Sequence, residues 1–156
     1  MIPQEMAPRQ RIAATAWGEA RGEGKVGEEA AIATAINRAK IARRYVERKG
    51  SPHPNYGDGT IDVACIAHCD ATYPQYDCWQ KTDPNRVKVE ALDFDHPDDV
   101  LDICLKVADE ALDGTLVDIT NGSTHYKRTD TPWPKSWGPV QTARKVIGHH
   151  SFYQVP

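Results

Sequence analysis

The chain has 156 residues, 40% of them hydrophobic and 26% charged, with a formal net charge of -3 at pH 7. That length suits one domain with a real core and is short for two, and the hydrophobic share excludes a disordered chain. The charge excludes a strongly basic nucleic-acid binder, and a mean hydropathy of -0.60 with no continuous apolar run leaves no membrane span to be read.

Residues 1–15, MIPQEMAPRQRIAAT, carry neither the apolar core nor the flanks of a secretory signal. The expectation is synthesis in the cytoplasm, with another agent delivering the protein if its substrate lies outside. Pro8 suits a first helical turn, and RQRIAATAWGEA reads as a helix with Ile12, Ala13, Ala16 and Ala20 on one stripe. Gly22 and Gly24 loosen or end it. VGEEAAIATAINRAKIARRYVERKG (26–50) is the clearest helix, with Ala30, Ala33, Ile36, Ile41 and Tyr45 as its apolar face and Gly50 as its stop. Its alanine-rich middle allows another element to approach closely. Arg38, Lys40, Arg43, Arg44, Arg48 and Lys49 crowd this helix while 93–118 is acidic; both read as solvated faces, the alternative being attraction of the basic one to an anionic polymer.

SPHPNYGDG (51–59) is loop, and Thr60 is a cap for a helix through IDVACIAHC, on which Cys65 and Cys69 share a face. DATYPQYDCWQKTDPNR has no period. A domain of this size seldom carries so long an irregular segment unless it works on a ligand. HPDDVLDICLKVADEALDG resumes helix, with Pro97 and Asp98–Asp99 at its start, Gly114 at its end, and Val100, Ile103, Cys104, Val107 and Leu112 turned inward. The remainder reads as turns and short strands. The sum is one mainly helical α+β domain over 1–156 with a small antiparallel β element. Cysteines 65, 69, 78 and 104 lack the CxxC pairs of zinc modules and read as reduced, partly buried thiols, with a disulfide left open.

The stretch AWGEARGEG (16–24) carries the chemistry. A glutamate becomes a general acid when burial raises its pKa toward the working pH, and Glu19 follows Trp17 and Gly18, an indole that excludes water and a glycine that admits a ligand or another segment. If the helix runs on through Gly22, Glu19 and Glu23 face the same way with Cβ atoms roughly 6 Å apart. Two readings stay open there: an acid with its partner, or one catalyst and one clamp; a third has either glutamate merely balancing Arg21 or the basic helix. Trp17, Tyr73, Tyr76, Trp79, Tyr126, Trp133 and Trp137 supply aromatic faces that suit sugar rings, bases or peptide side chains alike; each alone reads as packing, while their clustering in irregular segments points to two or three lining a groove. His68, His125, His149 and His150 invite a zinc reading, but no HExxH spacing accompanies them, and no GxSxG, P-loop or dinucleotide fingerprint is present.

These residues fall in motifs. AWGEARGEGKVGEEAAIATAINR, PQYDCWQ, NGSTHYKR, WPKSWG and IGHHSFYQ, in that order over 12–154, resemble the cell wall hydrolase family typified by the spore-cortex-lytic enzyme SleB, whose members include bacteriophage lysis proteins. The resemblance implies a lysozyme-like helical domain that cleaves peptidoglycan between N-acetylmuramic acid and N-acetylglucosamine, without metal or cofactor. It makes Glu19 the catalytic acid, with Arg21 and Glu23 supporting, and puts Asn37, Gln75, Tyr126 and His150 at the groove or its scaffold. Trp17, in place of the tyrosine or phenylalanine of the pattern, joins Tyr76, Trp79, His125, Trp133 and Trp137 as the groove's contacts. A lytic transglycosylase needs only Glu19; a hydrolytic muramidase would draw a second carboxylate from Glu23 or Asp77. A zinc amidase using His68, His125 and His149 or His150, and a non-catalytic wall-binding protein, are the alternatives from other classes. The implied setting is a monomeric phage endolysin exported through a helper membrane pore, or a virion-carried enzyme, acting at the cell wall or periplasm with no nucleic-acid partner.

Overall fold

The computed structural model describes residues 1–156. Five helices precede all of the strands: α1 Pro8–Ala20, α2 Gly24–Lys49, α3 Ile61–Ile66, α4 Pro84–Glu90 and α5 Asp99–Asp113, then β1 His125–Arg128, β2 Lys145–Ile147 and β3 His150–Tyr153. No helix is long and apolar enough to cross a membrane.

The first helix is the hub. Ile12, Ala13, Ala14 and Ala16 are fully buried, and α2, α3, α4 and α5 all pack on α1. A helix buried on nearly every side needs small residues, because interaxial distance follows side-chain size. α2 extends the same logic, with Ala30, Ala31, Ala33, Ala35, Ala39 and Ala42 buried beside Ile32. Ile36, Ile41 and Tyr45 are only partly covered, so the buried face is set by the alanines and not by the larger residues. Gly50 and Gly114, both left-handed, stop α2 and α5. At the start of α5 the Asp98 side chain accepts from Leu101 N at 2.8 Å.

Three local expectations are corrected. α5 turns Leu101, Cys104, Leu105, Val107, Ala108 and Ala111 inward, leaving Val100 and Ile103 partly covered and Leu112 exposed. Its sequence holds two overlapping apolar stripes, and contact with α1 selects one. α3 ends at Ile66, so Cys65 and Cys69 do not share a helix face. The segment read as irregular contains a 3-10 turn at Asp77–Trp79 and the short α4, whose start is capped by Asp83 accepting from Asn85 N at 2.7 Å.

The lysozyme-like architecture is corrected as well. The strands form an open three-stranded antiparallel sheet, order β1-β3-β2, not a closed β element. Its strands are three or four residues long, too short to curl and close, and the outer two keep free edges. β3 lies at the centre, pairing His125 with Tyr153 and Tyr126 with Phe152 on one side, Lys145 with Phe152 on the other. The sheet is tied to α2 by two buried polar residues. Asn37 Nδ2 donates to Ser123 O and to Asp118 Oδ2, each at 2.9 Å, and Arg38 Nε donates to Thr124 O at 2.7 Å.

Candidate active site

Glu19 lies in the last turn of α1, half-buried, where the 3-10 turn and the sheet converge. Gly18 makes the convergence possible. A Cβ at this position would fall 2.6 Å from Cys78 Cβ and 2.8 Å from its Sγ, so only glycine lets the turn lie against the helix. Cys78 N then donates to Glu19 Oε2 at 3.2 Å. On the other side, register brings Tyr126 inward from β1, and its hydroxyl donates to Glu19 Oε1 at 2.6 Å. Both carboxyl oxygens are thus held, by partners 59 and 107 residues away.

Burial raises the Glu19 pKa above the ordinary carboxylate value. The Tyr126 hydrogen bond opposes it, the nearby Asp77 charge adds to it, and the Cys78 amide and Arg38 pull the other way. Asp77 is solvent-exposed at the groove, yet crowding around its carboxyl raises its pKa too, first by desolvation and then through Asp83. The site couples a buried carboxyl to an accessible one.

Glu19 opens into a groove of about 430 Å³ whose walls include Tyr73, Gln75, Tyr76, Asp77, His125 and Trp137. Tyr73 is 83% exposed, a free aromatic face at the rim. His125 receives the edge of Trp137 at 5.0 Å; burial and then Arg38 lower its pKa to about 3, so it is a neutral imidazole at any ordinary pH. Its Nδ1 lies 2.9 Å from Thr124 Oγ1. Trp137 packs edge-on against Trp133 at 5.3 Å, and Trp133 in turn against Tyr153 at 4.9 Å. Trp133 therefore props the wall and Trp137 forms it.

Several predicted residues stand elsewhere. Trp79 is fully buried in the core, its Nε1 donating to Thr15 Oγ1 at 3.0 Å, and does not reach the groove. Tyr76 lines the floor with little exposure, its hydroxyl 2.9 Å from Thr34 Oγ1. Trp17 carries the Arg21 guanidinium 4.3 Å over its ring, and Arg21 donates to Asn85 Oδ1 at 2.6 Å, fastening α4 to the end of α1. Asn37 supports the turn leading into β1.

Glu23 does not share a helix face with Glu19. α1 stops at Ala20, and Glu23 becomes the residue before α2. It folds over Gly27, where a Cβ would sit 2.5 Å from its own, and meets His150 Nδ1 at 2.8 Å. His150 presents its ring edge-on to Tyr126, centroids 5.5 Å apart. Glu19, Glu23, Tyr126 and His150 border one narrow cleft behind the groove. Glu23 and His150 are arranged as a clamp on the tyrosine that holds Glu19.

Arg38 is the groove residue that sequence reasoning assigned to a solvated face. It is 3% exposed, stacks 4.6 Å over Tyr76, and donates to Gln75 O at 3.1 Å as well as to Thr124 O. The signal was available: Asn37–Arg38 interrupts a run of alanines that continues on both sides. The four cysteines are free and buried, and burial pushes the Cys65 thiol up to about 12, which makes it an inert core group. His68 Nε2 meets Pro54 O at 2.8 Å and does not line the groove. No three potential metal ligands converge anywhere.

A family model matches residues 21–85. Its description is "Domain of unknown function (DUF7742)". The match covers less than half of the chain, beginning two residues after Glu19 and taking in α2, α3 and the Asp77–Trp79 turn. No curated protein and no solved structure matches. The descriptions endolysin, bacteriophage protein and SleB-like cell wall hydrolase are therefore corrected: the fold is not of the lysozyme type, and no compared protein carries those descriptions to this chain.

Proposed function

We propose that the protein cleaves the glycan strand of peptidoglycan between N-acetylmuramic acid and N-acetylglucosamine, with Glu19 as general acid and then base. The observation that carries the proposal is a desolvated carboxyl, fixed at both oxygens, opening into an aromatic and polar groove. Burial favours its protonated form, the state that the first step, donation to the glycosidic oxygen, requires. Once ionised, it has the Tyr126 hydroxyl, the Cys78 amide and the nearby Arg38 to hold its charge. A carboxyl that must serve in both states needs both kinds of support.

As a lytic transglycosylase, Glu19 next takes the proton of the muramyl C6 hydroxyl, whose oxygen attacks C1 of the same sugar. The N-acetylglucosamine side leaves with its hydroxyl restored, a 1,6-anhydro ring closes, and Glu19 is protonated again. The attached nucleophile avoids the entropy of recruiting water. Engagement of Glu23 by His150 supports this one-carboxyl route. The second reading is a hydrolytic muramidase, favoured by Asp77 lining the same groove. Peptidoglycan in preference to other glycans rests on the sequence motifs; tyrosine, tryptophan, glutamine and neutral histidine walls suit N-acetylated sugars.

Glu19→Gln keeps the shape of the side chain and removes the transferable proton. A folded Glu19→Gln protein should clear outer-membrane-stripped cells at a small fraction of the wild-type rate, a loss of at least ~10²-fold. Clearing at the wild-type rate by that protein would refute the assignment.

A further inference from the structure

A second cavity, of about 580 Å³, continues the groove away from Glu19, within the ~300–1,000 Å³ of ligand sites. The two share Asn55, Tyr56, Val155 and Pro156, so the arm adjoins the groove at these residues. The arm's character differs from that of the half holding Glu19. Amide side chains of Gln141 and Gln154 and the guanidinium of Arg144 line it, with no acidic side chain among its walls. The Arg144 guanidinium donates only to a carbonyl, Asn121 O at 3.0 Å. Ile41 of α2 also faces the arm. Arg144 makes no salt bridge. A guanidinium in an amide-lined trough without acidic side chains suits a ligand that carries a carboxylate on a peptide backbone.

The geometry points to the arm as a binding site for the carboxylate-bearing stem peptide of the muramyl residue, with Arg144 taking one of its carboxylates. This rests on the glycan reading above, because continuity with the Glu19 groove is what makes the two ligands parts of one substrate. The glycan lies along the aromatic half while the peptide turns into the cationic half. Recognition in the arm would select peptide-substituted strands over bare ones.

The test uses the Glu19→Gln protein, so that binding is read without cleavage, and isothermal titration with three probes. These are a muramyl disaccharide with a stem tripeptide bearing free carboxylates, the same disaccharide without peptide, and the free tripeptide. The peptide-bearing disaccharide should bind at least ~10-fold tighter than the bare one, the worth of one charged hydrogen-bonded pair. Arg144→Gln should abolish that advantage while leaving affinity for the bare disaccharide unchanged, and amidating the peptide carboxylates should do the same. Equal affinity for the two disaccharides, or an advantage that survives Arg144→Gln, overturns the inference. Displacement of the peptide probe by a polyphosphate at lower concentration than by the tripeptide also overturns it, in favour of a phosphate polyanion. If neither disaccharide binds, the glycan reading fails; Arg144-dependent binding of the free tripeptide would then still uphold the arm, and its absence would remove both.

Discussion

Gly18→Ala offers a sharp test of how the carboxyl is held. The added Cβ meets Cys78 Cβ at 2.6 Å, where carbon pairs rest at about 3.5–4.0 Å, so the turn must retreat by about 1 Å. The Cys78 N to Glu19 Oε2 hydrogen bond already spans 3.2 Å, the upper end of the normal range, and that retreat breaks it. Overpacking costs about 1–3 kcal/mol, and replacing a helical glycine returns about 0.5–1 kcal/mol. A net loss of about 1–2 kcal/mol lowers Tm by roughly 2–8 °C in a chain this long. Glycan cleavage should fall much further, by ~10²-fold, because the acid is displaced from its productive position. Calorimetry and a clearing assay on the same preparation measure the two effects. Adding Cys78→Gly should restore part of the rate by removing the atom in conflict, whereas Cys78→Ala, which retains Cβ, should not. A Gly18→Ala protein with wild-type cleavage would refute the reasoning.

Two substitutions should move the alkaline limb of the kcat/KM profile in opposite directions. Tyr126→Phe removes a donor that favours ionised Glu19 and so shifts the limb up, while Asp77→Asn removes a neighbouring negative charge and shifts it down; shifts of the same sign would contradict the arrangement. Glu28 is a core carboxyl, 1% exposed, with one oxygen lacking any partner and its pKa raised first by burial. Its folded pKa lies above its unfolded one, so its contribution to stability is complete below the unfolded pKa and is lost as pH rises through the folded pKa. Glu28→Gln should therefore flatten the decline of urea midpoints as pH rises above the ordinary carboxylate value, with Glu19 supplying a remaining slope of the same sign; an unchanged slope would contradict the raised pKa of Glu28.

The long elements were legible because punctuation and period agree: Pro8, Gly50, Asp98 and Gly114 mark ends that the structure keeps to within a residue or two. The α4 segment was hidden because seven residues beginning at a proline give too little period to detect. Arg38 and Glu28 were not legible as buried groups, since charge alone argues for solvent and only the surrounding alanines hint otherwise. Within the site, Glu19 and Gly18 could be read locally as a carboxyl beside a point of close approach. Tyr126, 107 residues away, was placed by resemblance, and only the register of β1 against β3 explains why it arrives there. The separation of Glu23 from Glu19 depends on where α1 stops, a boundary that two glycines leave ambiguous in sequence.

The central claim is that Glu19 drives cleavage of the glycosidic bond with the sugar's own hydroxyl as nucleophile. Purified peptidoglycan digested with the protein, separated and weighed by mass spectrometry, tests it most directly. The account predicts muropeptides ending mainly in 1,6-anhydromuramic acid, each lighter by one water than its reducing counterpart. Mainly reducing muramic ends would make the protein a hydrolase, and peptide cleavage with every glycan bond intact would contradict the claim.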